Sequence, residues 1–118
     1  ELKSVFFKIK GAPGLLKQVL SGSKDIEYAF IYGSFASGNE NEISDIDLMA
    51  IGKMPLENLL KLLREPEKSL GRDINPSLFP ISEIKQRIKD RDPFISRVMA
   101  EPKIMLIGDE DELRRLAQ

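Results

Sequence analysis

The chain of 118 residues carries 18 Lys and Arg against 19 Asp and Glu, a net charge of −1, and 42% of it is apolar. That length suits one domain, which buries about two-thirds of its unfolded surface and folds without a disulfide or a structural metal. The absence of Cys, His and Trp excludes thiol nucleophiles, Cys-based zinc sites, Ser-His-Asp triads and histidine bases. Any acid, base or ligand is therefore a carboxylate, an amine, a hydroxyl or backbone.

The longest uncharged stretch, Tyr28 to Asn39, falls well short of the ~20 apolar residues that a membrane span needs. No basic segment followed by an apolar one opens the chain, so a cytoplasmic protein without a membrane partner is expected. Glu1 rather than Met stands first, which suggests a domain of residues 1–118 cut from something longer. Its entry is basic, with Lys3, Lys8, Lys10, Lys17 and Lys24, although the charge balances over the whole.

Residues 13–22 read as a helix, with Pro13 in the first turn, Leu15, Leu16, Val19 and Leu20 at helical spacing, and Gly22 at the end. Residues 27–32 are apolar without alternation, the pattern of a strand covered on both faces. Gly33-Ser34, a short Phe35-Ala36 segment and a polar loop from Ser37 to Ser44 follow. Residues 45–51 read as a second strand. A leucine-rich helix over 55–65, with Leu56, Leu59, Leu60, Leu62 and Leu63 as a core stripe, is expected to stop before Pro66. Then come a strand over 72–79 in which Pro76 favours an edge or an irregular position, a helix opening at Ser82, a short helix over 93–100, a strand over 103–107 and a terminal helix over 110–117. This order predicts an α/β (α+β) fold, a small mixed sheet with flanking helices mainly on one side.

Two local patterns carry chemistry. A glycine directly after a buried strand lets the chain turn and a phosphate approach, and a serine hydroxyl beside free N–H groups can bind phosphate oxygens; Gly33 and Ser34 fit both roles. An ordinary strand-to-helix turn has the same look, and no P-loop motif is present. In Ser44-Asp45-Ile46-Asp47-Leu48, residues two apart on a strand share a face, with Cα atoms about 6.5–7 Å apart. Asp45 and Asp47 thus converge on one point. Such close carboxylates repel unless a divalent cation neutralises them, and oxygen ligands alone select Mg²⁺ or Mn²⁺.

Together, Gly-Ser-Phe-Ala-Ser-Gly and Ser-Asp-Ile-Asp-Leu resemble the signature of the DNA polymerase beta nucleotidyltransferase superfamily, and in particular its minimal domains. The resemblance runs from about Glu27 to Leu113. It implies the nucleotidyltransferase fold, a nucleoside triphosphate held by Gly33 and Ser34, and Mg²⁺ (or Mn²⁺) held by Asp45 and Asp47. It also implies a third carboxylate in a segment like Gly-Arg-x-Val-Asp, matched here by Gly71-Arg72-Asp73-Ile74-Asn75. The expected acid is thus Asn75, whose neutral amide accepts no proton. Asp73, two residues earlier on the same face, is the candidate replacement and completes a catalytic set with Asp45 and Asp47. Ser37 stands where the family usually has Arg.

Two functions fit this pattern. One is Mg-dependent transfer of a nucleoside monophosphate to a hydroxyl acceptor; the resemblance implies a partner for such a small domain, often an all-helical protein of a toxin–antitoxin pair. The other is a nucleotide-binding or regulatory domain without turnover, joined to DNA by a missing N-terminal winged helix-turn-helix. Lys85, Arg87, Lys89 and Arg91 could contact phosphates, but the interspersed Glu83, Asp90 and Asp92 suit a solvated helix face. Tyr32 and Phe35 flank the turn and read as core residues.

Overall fold

A computed structural model describes residues 11–38 and 45–117. The elements are α1 (Ala12–Ser21), β1 (Ile26–Tyr32), α2 (Gly33–Ser37), β2 (Ile46–Gly52), α3 (Leu56–Leu70), β3 (Ile74–Phe79), α4 (Ile81–Lys89), α5 (Pro93–Ala100), β4 (Ile104–Ile107) and α6 (Glu110–Arg115). This is the expected order. The basic entry at Lys3, Lys8 and Lys10 and the part of the polar loop over residues 39–44 lie outside the described residues.

The four strands form one mixed sheet in the order β3-β2-β1-β4. β1 runs antiparallel to β2 and β4, whereas β2 and β3 are parallel. The end of β1 and the starts of β2 and β3 therefore meet at one end of the sheet. Pro76 lies in β3, at an edge of the sheet as its missing N–H requires.

Helices cover both faces, not mainly one. Ala29, Ile31, Ile46, Leu48 and Ala50 pack with Leu16 and Leu20 of α1 and Leu59 and Leu63 of α3. On the opposite face Phe30, Tyr32, Met49 and Ile51 pack with Ile84 of α4, Ile95 and Val98 of α5 and Leu113 of α6. Because β1 and β2 carry apolar side chains at consecutive positions, each face needs its own cover, and each large side chain buried there contributes about 1.5–3 kcal/mol.

α3 also departs from expectation, running on through Pro66 to Leu70. A proline inside a helix removes one hydrogen bond and costs ~3 kcal/mol, but here Pro66 is itself buried and the turn beyond it is anchored. Gly71 adopts the left-handed conformation and its N–H donates to Glu67 O at 2.9 Å, and the Glu67 carboxylate accepts the Ile74 N–H at 2.8 Å. The helix end is thereby tied to the start of β3. The leucine stripe is only partly core: Leu59 and Leu63 are buried, while Leu56 and Leu60 are 51% and 45% exposed.

Local capping explains the last two helices. The Asp92 carboxylate accepts the Ile95 N–H at 2.9 Å ahead of Pro93, and Asp109 accepts the Glu112 N–H at 3.2 Å. Acids fill the first turn of α6 and Arg114 and Arg115 its last, as the helix dipole favours.

Candidate functional site

β1 leaves the sheet at Tyr32, and Gly33 makes the turn with φ +75°, a conformation that costs other residues about 1–2 kcal/mol. Tyr32 is the cross-strand neighbour of Asp47. The turn therefore comes down on that carboxylate: a Cβ on Gly33 would stand 2.5 Å from Asp47 Oδ2. Only glycine permits both the backbone turn and the close approach. Ser34 follows, exposed, in a helix start that no side chain caps. Ser37, in the position of the missing Arg, donates its hydroxyl to Ser34 O at 3.2 Å.

Asp45 is exposed just ahead of β2, and Asp47 is half-buried one step inside it, while Ile46 and Leu48 between and beyond them are fully buried. Strand alternation thus sends both acids to the same side. Asn75 is the β3 neighbour of Asp47, and its Nδ2–H donates to Asp45 Oδ2 at 3.0 Å. This is the only hydrogen bond that a described residue gives to either carboxylate. Asp73 is exposed immediately before β3, and its carbonyl accepts the Ile46 N–H at 2.9 Å. Gly33, Asp45, Asp47 and Asn75 are brought together. Among the described residues no group of three or more acids, Asp73 included, is placed to hold one metal ion.

Side chains that read as ordinary core or motif residues form the surroundings. Tyr32 packs edge-on against Phe30 and Phe94, with ring centroids 6.2 Å apart in each pair. Burial pushes its phenol above the usual tyrosine range, a hydrogen bond with Ser77 works against this, and the Asp47 carboxylate adds to the upward push. The Arg72 guanidinium lies 5.4 Å from the centre of the Phe35 ring, so a cation from the start of β3 reaches the α2 turn. Arg72 was legible as part of the Gly-Arg motif, but its stacking on a residue 37 positions earlier had no local signal.

The donor set fits a hard divalent cation. Two carboxylates share one side of β2, and glycine at position 33 lets the turn approach Asp47 Oδ2 where any other residue would place a carbon against it. All available ligands are oxygens, which suits Mg²⁺ or Mn²⁺.

Residues 15–109 match the family model described as polymerase beta, nucleotidyltransferase. No curated protein matches the sequence. Among solved structures, a toxin–antitoxin complex with AMP-PNP shares the fold at TM-score 0.57 and 16% identity, over 89% of this chain and 80% of that one. The complex of MntA with HepT aligns at TM-score 0.51 and 14% identity, over 92% and 80%. A tri-AMPylated Shewanella oneidensis HEPN toxin in complex with MNT antitoxin aligns at TM-score 0.51 and 13% identity, over 92% and 79%. At such identities the likeness is one of fold. No helix among the described residues is long and apolar enough to cross a membrane.

Proposed function

Because the chain belongs to the polymerase beta nucleotidyltransferase family, we propose that it transfers a nucleoside monophosphate from a nucleoside triphosphate to a hydroxyl on a partner protein, with Mg²⁺ (or Mn²⁺) as cofactor. The observation that carries this reading is the seating of Gly33 on the Asp47 carboxylate, with Asp45 on the same side. Asp45 and Asp47 would hold the cation, which supplies neutralisation of phosphate charge. The Gly33 and Ser34 N–H groups and the Ser34 hydroxyl would orient the triphosphate so that its α-phosphorus faces the acceptor. The acceptor oxygen bonds to that phosphorus, pyrophosphate leaves, and Asp73, exposed just ahead of β3, takes the acceptor's proton.

The choice of a protein acceptor rests on the toxin–antitoxin complexes that share the fold, one of which contains an AMPylated toxin. The all-helical partner that the family resemblance implies is the acceptor to try first. No observation favours DNA. The second reading, nucleotide binding without turnover, draws on the Asn75 amide at the position of the family's third acid, where it donates to Asp45.

Thermal shift with ATP alone and with Mg-ATP separates these readings when paired with transfer of label from α-labelled ATP to co-expressed partners. A ligand at 100 times its Kd adds about 2.7 kcal/mol to stability. A Mg-dependent shift with labelled product supports transfer. The same shift without product leaves binding alone, and no shift with any nucleoside triphosphate defeats both.

A further inference from the structure

α4 and α6 cover the same face of the sheet. A groove of about 690 Å³ opens between α4 and the end of α6, lined by Lys85, Ile88, Lys89, Arg115, Leu116 and Ala117. Ile88 and Leu116 are half-buried against the core of that face and form its apolar part. Lys85 and Lys89, one helical turn apart, and Arg115 are exposed. The other cations of these helices are neutralised: Arg87 pairs with Glu83 at 2.8 Å and Asp92 at 3.3 Å, and Arg114 with Glu110 at 3.0 Å and Asp111 at 3.7 Å. The three groove cations take part in no ion pair with a described residue. The fold thus sorts a helix face that reads as mixed and solvated: acids are taken up by Arg87 and Arg114, and unbalanced cations stand round apolar side chains.

We propose that this groove docks an acidic segment of a partner protein, one whose carboxylates flank an apolar side chain. The carboxylates meet Lys85, Lys89 and Arg115 while the apolar side chain covers Ile88 and Leu116, so both parts of the surface are matched. Nucleic acid fits less well. No lining residue is aromatic for base stacking, and three cations in a chain of net charge −1 make no extended phosphate track. A twofold contact between two copies through this groove would set its cations against themselves. None of the lining residues belongs to the elements that carry Gly33, Asp45, Asp47 or Asn75, so docking here stands whether or not the chain transfers nucleotides.

Fluorescence anisotropy with the intact chain tests this. The probe is a labelled peptide of Glu-Glu-Leu-Leu repeats, set against the same peptide with Ser for Leu and against labelled oligothymidylate. The wild type is expected to bind the Glu-Leu peptide saturably, more weakly as salt rises, and the Ser version about tenfold or more less tightly. The double variant Lys85→Glu, Lys89→Glu is expected to raise the Kd by more than about tenfold, since like charges then face the peptide. Both lysines are exposed and outside any ion pair with a described residue, so this variant should melt near the wild type. Amide shifts on titration should cluster at 85–89 and 115–117. No binding, equal binding of the Ser peptide, shifts elsewhere or a Kd unmoved by the double reversal overturns the proposal. Oligothymidylate bound more tightly than the peptide, or a wild-type dimer in sedimentation that the reversal dissociates, gives the groove to nucleic acid or to a second copy and overturns it as well.

Discussion

Two charged places lie at the same end of the sheet, and they are treated in opposite ways. Lys103, just ahead of β4, is 3% exposed at its side chain. Its ammonium donates to Met99 O and Glu101 O, both at 2.8 Å, and lies 5.7 Å from the centre of the Phe30 ring. Burial pushes its pKa below the usual lysine range, and Glu110, 4.0 Å away, opposes that shift. Around Asp45 and Asp47, the described residues supply one amide N–H, from Asn75 to Asp45, and none to Asp47. A buried cation whose donors are met is a fastener. A pair of like charges with lone pairs left over is arranged for something that arrives later. The contrast predicts that changes at Lys103 will alter stability and leave ligand binding alone, and that changes at the acids will do the reverse.

The largest expected effect is on turnover. Asp73→Asn should lower nucleotide transfer by about 10²–10⁴-fold, as loss of a general base does, with little change in the Mg-ATP thermal shift. Transfer that survives the substitution would show that solvent or a substrate phosphate accepts the proton instead. Next, Asp47→Asn should remove the Mg-dependent share of nucleotide binding, up to the ~2.7 kcal/mol expected at 100 times Kd. Its ligand-free melting temperature should hold or rise slightly, since one of two repelling charges is gone. A ligand-free protein that unfolds on this change would make Asp47 a fastener like Lys103 and erase the contrast.

Lys103→Met supplies the mirror image. The apolar replacement keeps most of the buried stem but leaves the Met99 and Glu101 carbonyls without the ammonium donor. A cost of about 1–3 kcal/mol in urea unfolding is expected, with the Mg-ATP Kd unchanged. A large loss of nucleotide affinity at constant stability would assign Lys103 to the site.

What could be read along the chain was whatever depends on near neighbours. The unbroken apolar run Tyr28 to Tyr32 marked a central strand because both of its sides are covered. Asp45 and Asp47 share a side because strand alternation is a local rule, and Gly33 drew notice because it follows that strand at once. What depends on distant partners was not legible. Pro66 argues for a helix end until Gly71 and Glu67 are seen anchoring the following turn. Leu56 and Leu60 match the helical apolar pattern, yet α3 turns them to solvent. Asn75 and Asp45 are 30 residues apart, and only the β2–β3 register makes them neighbours. Lys103 carried no signal as a lone lysine, because its burial is set by α5 and β1 together.

The smallest effect lies where the two places meet, at Tyr32, which packs on the same Phe30 ring as Lys103 and feels the Asp47 carboxylate. At pH 8 Tyr32→Phe should cost about 0.5–1.5 kcal/mol through loss of the phenol's polar contacts. The phenol's pKa in the folded protein is raised above its ordinary value of 10.0, chiefly by burial. The folded state therefore holds this proton more tightly than the unfolded chain does. The resulting stability is present in full below the unfolded pKa and is lost as pH rises through the higher folded one. The stability gap between wild type and Tyr32→Phe should thus narrow above pH ~10. Comparing the two proteins at each pH cancels the contributions of Tyr28, also raised by burial, and of Lys103, whose lowered pKa acts with the opposite sign. Urea unfolding at pH 8 and at several values above 10, with phenolate absorbance followed alongside, measures the gap. A gap that stays constant while the Tyr32 phenolate forms would mean that its burial and the Asp47 charge exert no hold on the proton, and would uncouple the fastened half of this sheet end from the acidic half.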